Sequence, residues 1–135
     1  MTLQVGVKVF LKNPEGKILL LLRSDKYGTE ADTWDIPGGR IDPGSTLLDN
    51  LKREVNEETQ LDLASEPILV AAQDILKFED KHVVRLTYTA EAIGETVLDG
   101  VEHTEYQWVT PEEMKALPNL DRYVQELLAQ NIAVL

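Results

Sequence analysis

The sequence predicts an α+β fold, a mixed β-sheet flanked by helices. Strand-like runs recur at residues 5–11, 17–23, 68–78, 82–91 and 106–109. Two apolar stripes have helical spacing: Leu48, Leu51 and Val55, then Leu120, Tyr123, Val124, Leu127 and Leu128. Strands and hairpins mixed with few helices give α+β or a mixed-sheet α/β sandwich.

Each element has a local reason. Val5, Val7, Val9 and Leu11 alternate with smaller or polar residues, which predicts a strand with one buried face. Asn13-Pro14-Glu15-Gly16 is turn chemistry. Residues 17–23 form a nearly continuous apolar run, the mark of a central strand covered on both faces. Residues 24–33 are polar and irregular, and residues 34–39 form a short extended piece ending in a tight turn. The helix that follows is capped by Ser45 or Thr46, with Asp49 at capping-box spacing from Thr46, and runs to about Thr59. Glu79-Asp80-Lys81 links two strands as a hairpin, and residues 94–100 form a loop. Thr110 caps a helix that begins with Pro111. Asn119 is expected to cap the last helix, which runs to about Gln130.

Composition narrows the function. The chain has 135 residues, 43% of them hydrophobic, which fits a single domain over 1–135. The net charge of −11 argues against nucleic acid polymers as partners but permits a small phosphorylated ligand bridged by metal ions. No apolar run is long enough to cross a bilayer, and the N-terminus lacks the pattern of a secretion signal. The absence of cysteine rules out disulfides and thiolate metal sites and fits a reducing, cytoplasmic setting.

Residues 39–61 carry the chemistry. Glu54, Glu57 and Glu58 fall at i, i+3 and i+4, on one face of the predicted helix. Like charges one turn apart repel by a few tenths of a kcal/mol per pair. A hard divalent cation supplies a reason to keep them together, because Mg2+ takes carboxylate oxygens and leaves positions for phosphate and water. An isolated triplet of this kind reads best as a solvated helix face. Here it is accompanied by Gly38, Gly39 and Arg53.

The segment Gly39, then Arg53-Glu54-Val55-Asn56-Glu57-Glu58-Thr59-Gln60-Leu61, resembles the Nudix box. Residues 34–39 before it and 102–109 after it are also similar to that family, in its MutT-like branch. Two positions depart from the box: Ser45 stands where the family has its first glutamate, and Gln60 where it has its last glycine. Gln60 is expected in a left-handed turn, at about 1 kcal/mol of strain. Asp49, four residues before Arg53, is expected to orient Arg53 in place of the missing glutamate.

The resemblance implies a Nudix-like α/β/α sandwich and hydrolysis of a nucleoside diphosphate linked to another group, with Mg2+ or Mn2+ as cofactor. It implies Arg53, Glu54, Glu57, Glu58, Glu102 and Glu105 as catalytic residues. The metal would be held by Glu54, Glu57, Glu58 and Gly38. Glu54, Glu102 and Glu105 compete for the role of general base, with Glu102 the freer of the last two because it sits in a loop. Arg23, Arg40, Gly39 and Trp34 are the substrate-contact candidates; the arginines suit phosphate, whose oxygens a guanidinium grips in pairs. Plainer readings stand beside these: Arg23 and Arg40 as surface cations, Trp34 and Trp108 as core or rim residues, His82 and His103 as surface or hairpin residues. The expected substrate is an ordinary or modified nucleoside triphosphate, with ADP-ribose or a nucleotide sugar as alternative. A catalytically silent nucleotide sensor and an interaction module built on the last helix are the rival functions. Members of the family often pair as homodimers.

Overall fold

The computed structural model describes residues 1–132, so the last three residues of the expected domain lie outside it. Eight strands and three helices follow in chain order. They are β1 Thr2–Lys12, β2 Ile18–Arg23, β3 Trp34–Asp35, β4 Gly38–Arg40, α1 Leu47–Thr59, β5 Asp62–Leu63, β6 Ile68–Ile75, β7 Lys81–Ile93, β8 His103–Val109, α2 Pro111–Ala116 and α3 Arg122–Ala129. Strands β3, β2, β1, β7 and β5 lie in that order; β4 also pairs with β1, β6 with β7 and β8 with β2. The sheet is mixed: β1 and β7 run parallel over eleven residue pairs, and the other pairings are antiparallel.

Two cores, one on each face, make the predicted sandwich. Against α1, Val7, Val9, Leu11, Leu19, Leu21, Tyr88 and Ala90 pack on Leu51 and Val55. On the opposite face Phe10, Ile18, Leu20, Ile36 and Val109 pack on Met114, Leu120, Val124 and Leu127. The continuous run in β2 is therefore split by alternation, Leu19 and Leu21 to one core and Ile18 and Leu20 to the other.

The alternation predicted one buried face for β1, yet Phe10 on the second face is fully buried as well. That second face changes along the strand: apolar at Phe10, where α3 covers it, and open at Gly6 and Lys8, which line a cleft. The paired strand β7 matches it, with Val83 and Arg85 lining the same cleft.

Turns and caps follow the sequence with one correction. Asn13 Oδ1 accepts from the Glu15 and Lys17 backbone N–H groups, which fixes the β1–β2 turn. Thr46 caps α1 by accepting from Asp49 N, and Gln60 ends it with φ 60°, the left-handed turn expected there. Thr110 and Glu113 form a full capping box at α2. The last helix is capped by Asp121, not Asn119. Asp121 Oδ2 accepts from the N–H groups of Tyr123 and Val124, while the Asn119 amide donates to Asp32 O in the loop before β3. The polar stretch after β2 contains a 3-10 segment, Asp25–Glu30. Among the described residues no helix is long and apolar enough to cross a membrane.

Candidate active site

A cleft of about 410 Å³ opens where β1 and β7 lose their helical cover. Gly6, Lys8, Val83 and Arg85 form its floor. One wall is the β4 loop with Glu54 and Glu58 of α1; another is Ile75, Lys77 and Phe78 after β6; Tyr27, Glu30 and Glu102 close the remaining side.

The glycine pair brings the β4 loop and α1 together. Gly38 has φ 140°, and a Cβ there would lie 2.0 Å from Val7 O. A Cβ on Gly39 would lie 2.7 Å from Glu54 Oε2, so the Glu54 carboxylate sits directly on the loop. Gly38→Ala should therefore lower stability by at least about 2 kcal/mol, because strain and a backbone clash add. Urea unfolding checks this; a midpoint matching that of the wild type would contradict the geometry.

Glu58 is the buried member of the acidic triplet, 4% exposed. Its Oε1 accepts from Gly38 N at 2.8 Å, and its Oε2 lies 3.5 Å from His103 Nδ1. Burial pushes its carboxyl up to about 8; Lys8 and the Gly38 N–H only partly oppose that. Glu54 is half-buried and is also shifted up, by burial first, with Arg53 opposing and Glu57 reinforcing. Glu57 is exposed, outside the cleft lining, and paired with Arg53.

Arg53 reaches Glu54 and Glu57 through Nη1, and Asp42 and Asn50 Oδ1 through Nη2, at 3.1–3.3 Å. Asp49 is not among these partners, which corrects the expected Asp49–Arg53 pair. Arg53 is instead oriented from the preceding loop and by Asn50. That fully buried side chain also accepts from Asp42 N and donates to Thr46 O.

Beneath the cleft lies a buried charge network. Asp35, 1% exposed, meets Lys8 at 2.9 Å, Arg23 at 2.5 Å and Arg85 at 3.0 Å. Burial alone would raise the Asp35 carboxyl, but Arg85, Lys8 and Arg23 outweigh it and hold it below the usual carboxylate range. Asp121 adds contacts of 2.9 Å to Arg23 and 3.5 Å to Arg85. Arg23 is thus no surface cation: it is buried and committed to Asp35, Asp121 and Thr33 Oγ1, although it touches the cleft. Arg40 is exposed at the rim and donates to Gln4 Oε1.

The structure brings Glu54, Glu58, Glu102, Gly38, Gly39, Arg23 and Arg40 around one cleft. It does not bring Trp34 or Glu105 there. Both line a separate shallow groove with Gln107, and Trp34 packs on the second core. His103 corrects the sequence reading most directly. It is 4% exposed and packs on the Tyr27 ring with centroids 5.7 Å apart. Burial pushes its imidazole down to about 4. Lys8, Arg85 and Asp35 were also missed. The available signal was a charged residue inside a strand pattern, at Lys8 between Val7 and Val9 and at Arg85 between Val84 and Leu86.

The donor set suits a divalent cation. Glu58, Glu102 and His103 each offer an atom, all within 4.8 Å of one another. The two shifts have opposite signs in stability. The Glu58 value is raised above its ordinary value of about 4.3, so its contribution is lost as pH rises through about 8. The His103 value is lowered from about 6.5, so its contribution is lost as pH falls from there toward about 4. Of these two groups, Glu58 is the one that acts between pH 6.5 and 8. In chelator, stability should fall over that window by up to about 1.4 kcal/mol per unit. Thermal unfolding checks this, with Glu58→Gln expected flat; a wild type whose stability rises across the window would contradict it.

Residues 2–130 match the NUDIX domain model. A putative 8-oxo-dGTP diphosphatase of Bacillus subtilis is 31% identical over 123 residues, 90% of this chain and 77% of that protein. The nucleoside triphosphatase NudI of Escherichia coli is 28% identical over 109 residues, 74% of this chain and 77% of that one. A MutT protein from Methanosarcina mazei Go1 superposes with TM-score 0.83 at 27% identity, covering 96% of this chain and 92% of that chain. A MutT NUDIX hydrolase from Burkholderia pseudomallei gives 0.82 at 26% identity, covering 96% and 98%. With its family model matched over nearly the whole sequence and its fold shared with those structures, the chain belongs to the NUDIX family and is a Nudix hydrolase.

Proposed function

We propose that the chain hydrolyses an ordinary or base-modified nucleoside triphosphate at a pyrophosphate linkage, with Mg2+ as cofactor and Mn2+ as a substitute. One observation carries this reading. Glu54, Glu58 and Glu102 line one cleft, Glu58 and Glu102 offering oxygens within 4.8 Å of each other, and Arg40 stands at its rim. Carboxylates on the wall suit the cation, the exposed Arg40 guanidinium suits a phosphate, and about 410 Å³ suits a nucleotide-sized ligand. The names of the Bacillus subtilis and Escherichia coli relatives support a triphosphate over a nucleotide sugar.

A bound divalent cation would neutralise phosphate oxygens and acidify water. Glu54, Glu57 and Glu58, with Gly38, are the residues assigned to hold it. Glu54 and Glu102 stand at the cleft and compete as proton acceptor; Glu54 has the raised affinity for a proton that such a role uses. Arg53 holds Glu54 and Glu57 in position. Arg40, exposed at the rim beside the neutral Gln4 amide, is assigned to the phosphates. Arg23 serves by fixing Asp35 and Asp121, since its guanidinium is already taken by them. Tyr27, Phe78 and Tyr123 offer ring surface for a base. A homodimer belongs to the same proposal, and sedimentation checks it.

The test is a panel of canonical and oxidised nucleoside triphosphates, with ADP-ribose beside them, in Mg2+. Monophosphate and pyrophosphate should appear from a triphosphate, stop on chelation, and fall to background in Glu57→Gln. Tight nucleotide binding without any turnover would overturn the reading in favour of a sensor, and turnover of ADP-ribose alone would overturn the substrate class.

A further inference from the structure

The side chain of His103 is buried beside the acidic ridge, yet no hydrogen-bond partner satisfies its Nδ1. A buried imidazole nitrogen without a partner is uncommon, because leaving it unmatched costs about 1–3 kcal/mol. The nearest carboxylate atom, Glu58 Oε2, lies 3.5 Å away, too long for a good N–H···O bond. Glu58 does not turn toward it, because its other oxygen is held by Gly38 N at 2.8 Å. Glu102, next to His103 in sequence, completes a set of three donors within 4.8 Å.

The 3.5 Å separation of Glu58 Oε2 and His103 Nδ1 has a simple explanation. Two ligands each about 2.1 Å from one ion, at a tetrahedral angle, lie about 3.4 Å apart. We propose that His103 Nδ1, with Glu58 and Glu102, forms a nitrogen-containing divalent metal site that prefers a borderline ion such as Zn2+ or Co2+ to Mg2+. The proposal rests on the reading of Glu58 as a metal ligand and extends it to a donor outside the glutamate helix. Imidazole suits Zn2+ and Co2+, whereas Mg2+ favours oxygen. The Gly38 N–H is the outer partner that aims Glu58 Oε2 at the ion. Lys8 does not occupy the site, because Asp35 and the Ile36 carbonyl hold its ammonium at 2.9 and 3.2 Å.

Binding is read directly, without nucleotide and without turnover. The full chain is titrated with Co2+ and with Mg2+ by calorimetry, and Co2+ is followed by its visible absorption. The wild type should bind Co2+ at least tenfold tighter than Mg2+. His103→Gln should cut Co2+ affinity at least tenfold, lower Mg2+ affinity less, and change the Co2+ spectrum. Nitrogen NMR of the 15N-labelled wild type with Zn2+ needs no variant: the His103 Nδ1 resonance should move to the metal-bound position. An Nδ1 signal unmoved at saturating Zn2+, or Co2+ affinity and spectrum unchanged in His103→Gln, would overturn the site. These readouts are independent of hydrolysis. An inactive nucleotide panel removes the proposed function without touching them, and a failed Zn2+ shift leaves the Mg2+-dependent activity to be judged alone.

Discussion

Glu58→Gln is expected to lose activity and gain stability at once. Glutamine keeps the volume of the side chain and still offers an oxygen to Gly38 N, so the β4–α1 contact survives. What it removes is a buried negative charge. Changes to groups that merely support a metal ligand lower affinity or activity about 10–100-fold, so loss of a ligand should lower turnover by about 100-fold or more. The same change removes the cost of ionising a buried carboxyl, which grows as pH approaches about 8. In chelator at pH 8 the variant should therefore unfold later than the wild type. Steady-state kinetics and thermal unfolding on one preparation check both. A variant that is less stable and less active would mark Glu58 as a structural residue; one with unchanged turnover would remove it from the site.

Asp35→Asn should be the most destabilising of the charge-removing substitutions. Asp35 accepts from Ile36 N at 2.8 Å and stands against Lys8, Arg23 and Arg85. Neutralising it leaves three cations facing Asp121, with Glu30 more distant at 3.9 Å from Arg23. Breaking a buried pair on one side costs about 3–5 kcal/mol. Because the Asp35 carboxyl lies below its ordinary range, its contribution is present above the unfolded value of about 3.9 and is lost as pH falls below that. The variant and the wild type should differ most near neutral pH and converge in acid. Urea unfolding at pH 7 and pH 3 checks this; a difference under about 1 kcal/mol at pH 7 would show the network to be dispensable.

The sequence was most legible where one residue type has one physical use. Gly38 and Gly39 announced a tight turn before the helix; the structure adds that Val7 O and the Glu54 carboxylate crowd them. The run 17–23 announced burial on both faces, and its residues divide between two cores. Thr46 and Thr110 were readable as caps because their bonds span three residues. What escaped was contact between distant segments. Arg23 and Asp121 are 98 residues apart, and no local pattern links them. For the same reason Asp121, committed to that network, displaced Asn119 as the cap. His103 looked isolated in sequence because its neighbours Glu58 and Tyr27 come from α1 and the loop after β2. Asp49 had the right spacing for Arg53, but Asp42, Asn50, Glu54 and Glu57 were all within reach and took it.

The central claim is that the α1 carboxylates are crowded in order to hold a divalent cation at the cleft. Mn2+ binding, followed by electron paramagnetic resonance of the free ion, tests it most directly. The wild type should bind Mn2+ saturably and more tightly with a non-hydrolysable triphosphate present, and a variant combining Glu54→Gln, Glu57→Gln and Glu58→Gln should bind none at the same concentrations. Equal Mn2+ binding by the folded triple variant and the wild type would contradict the account.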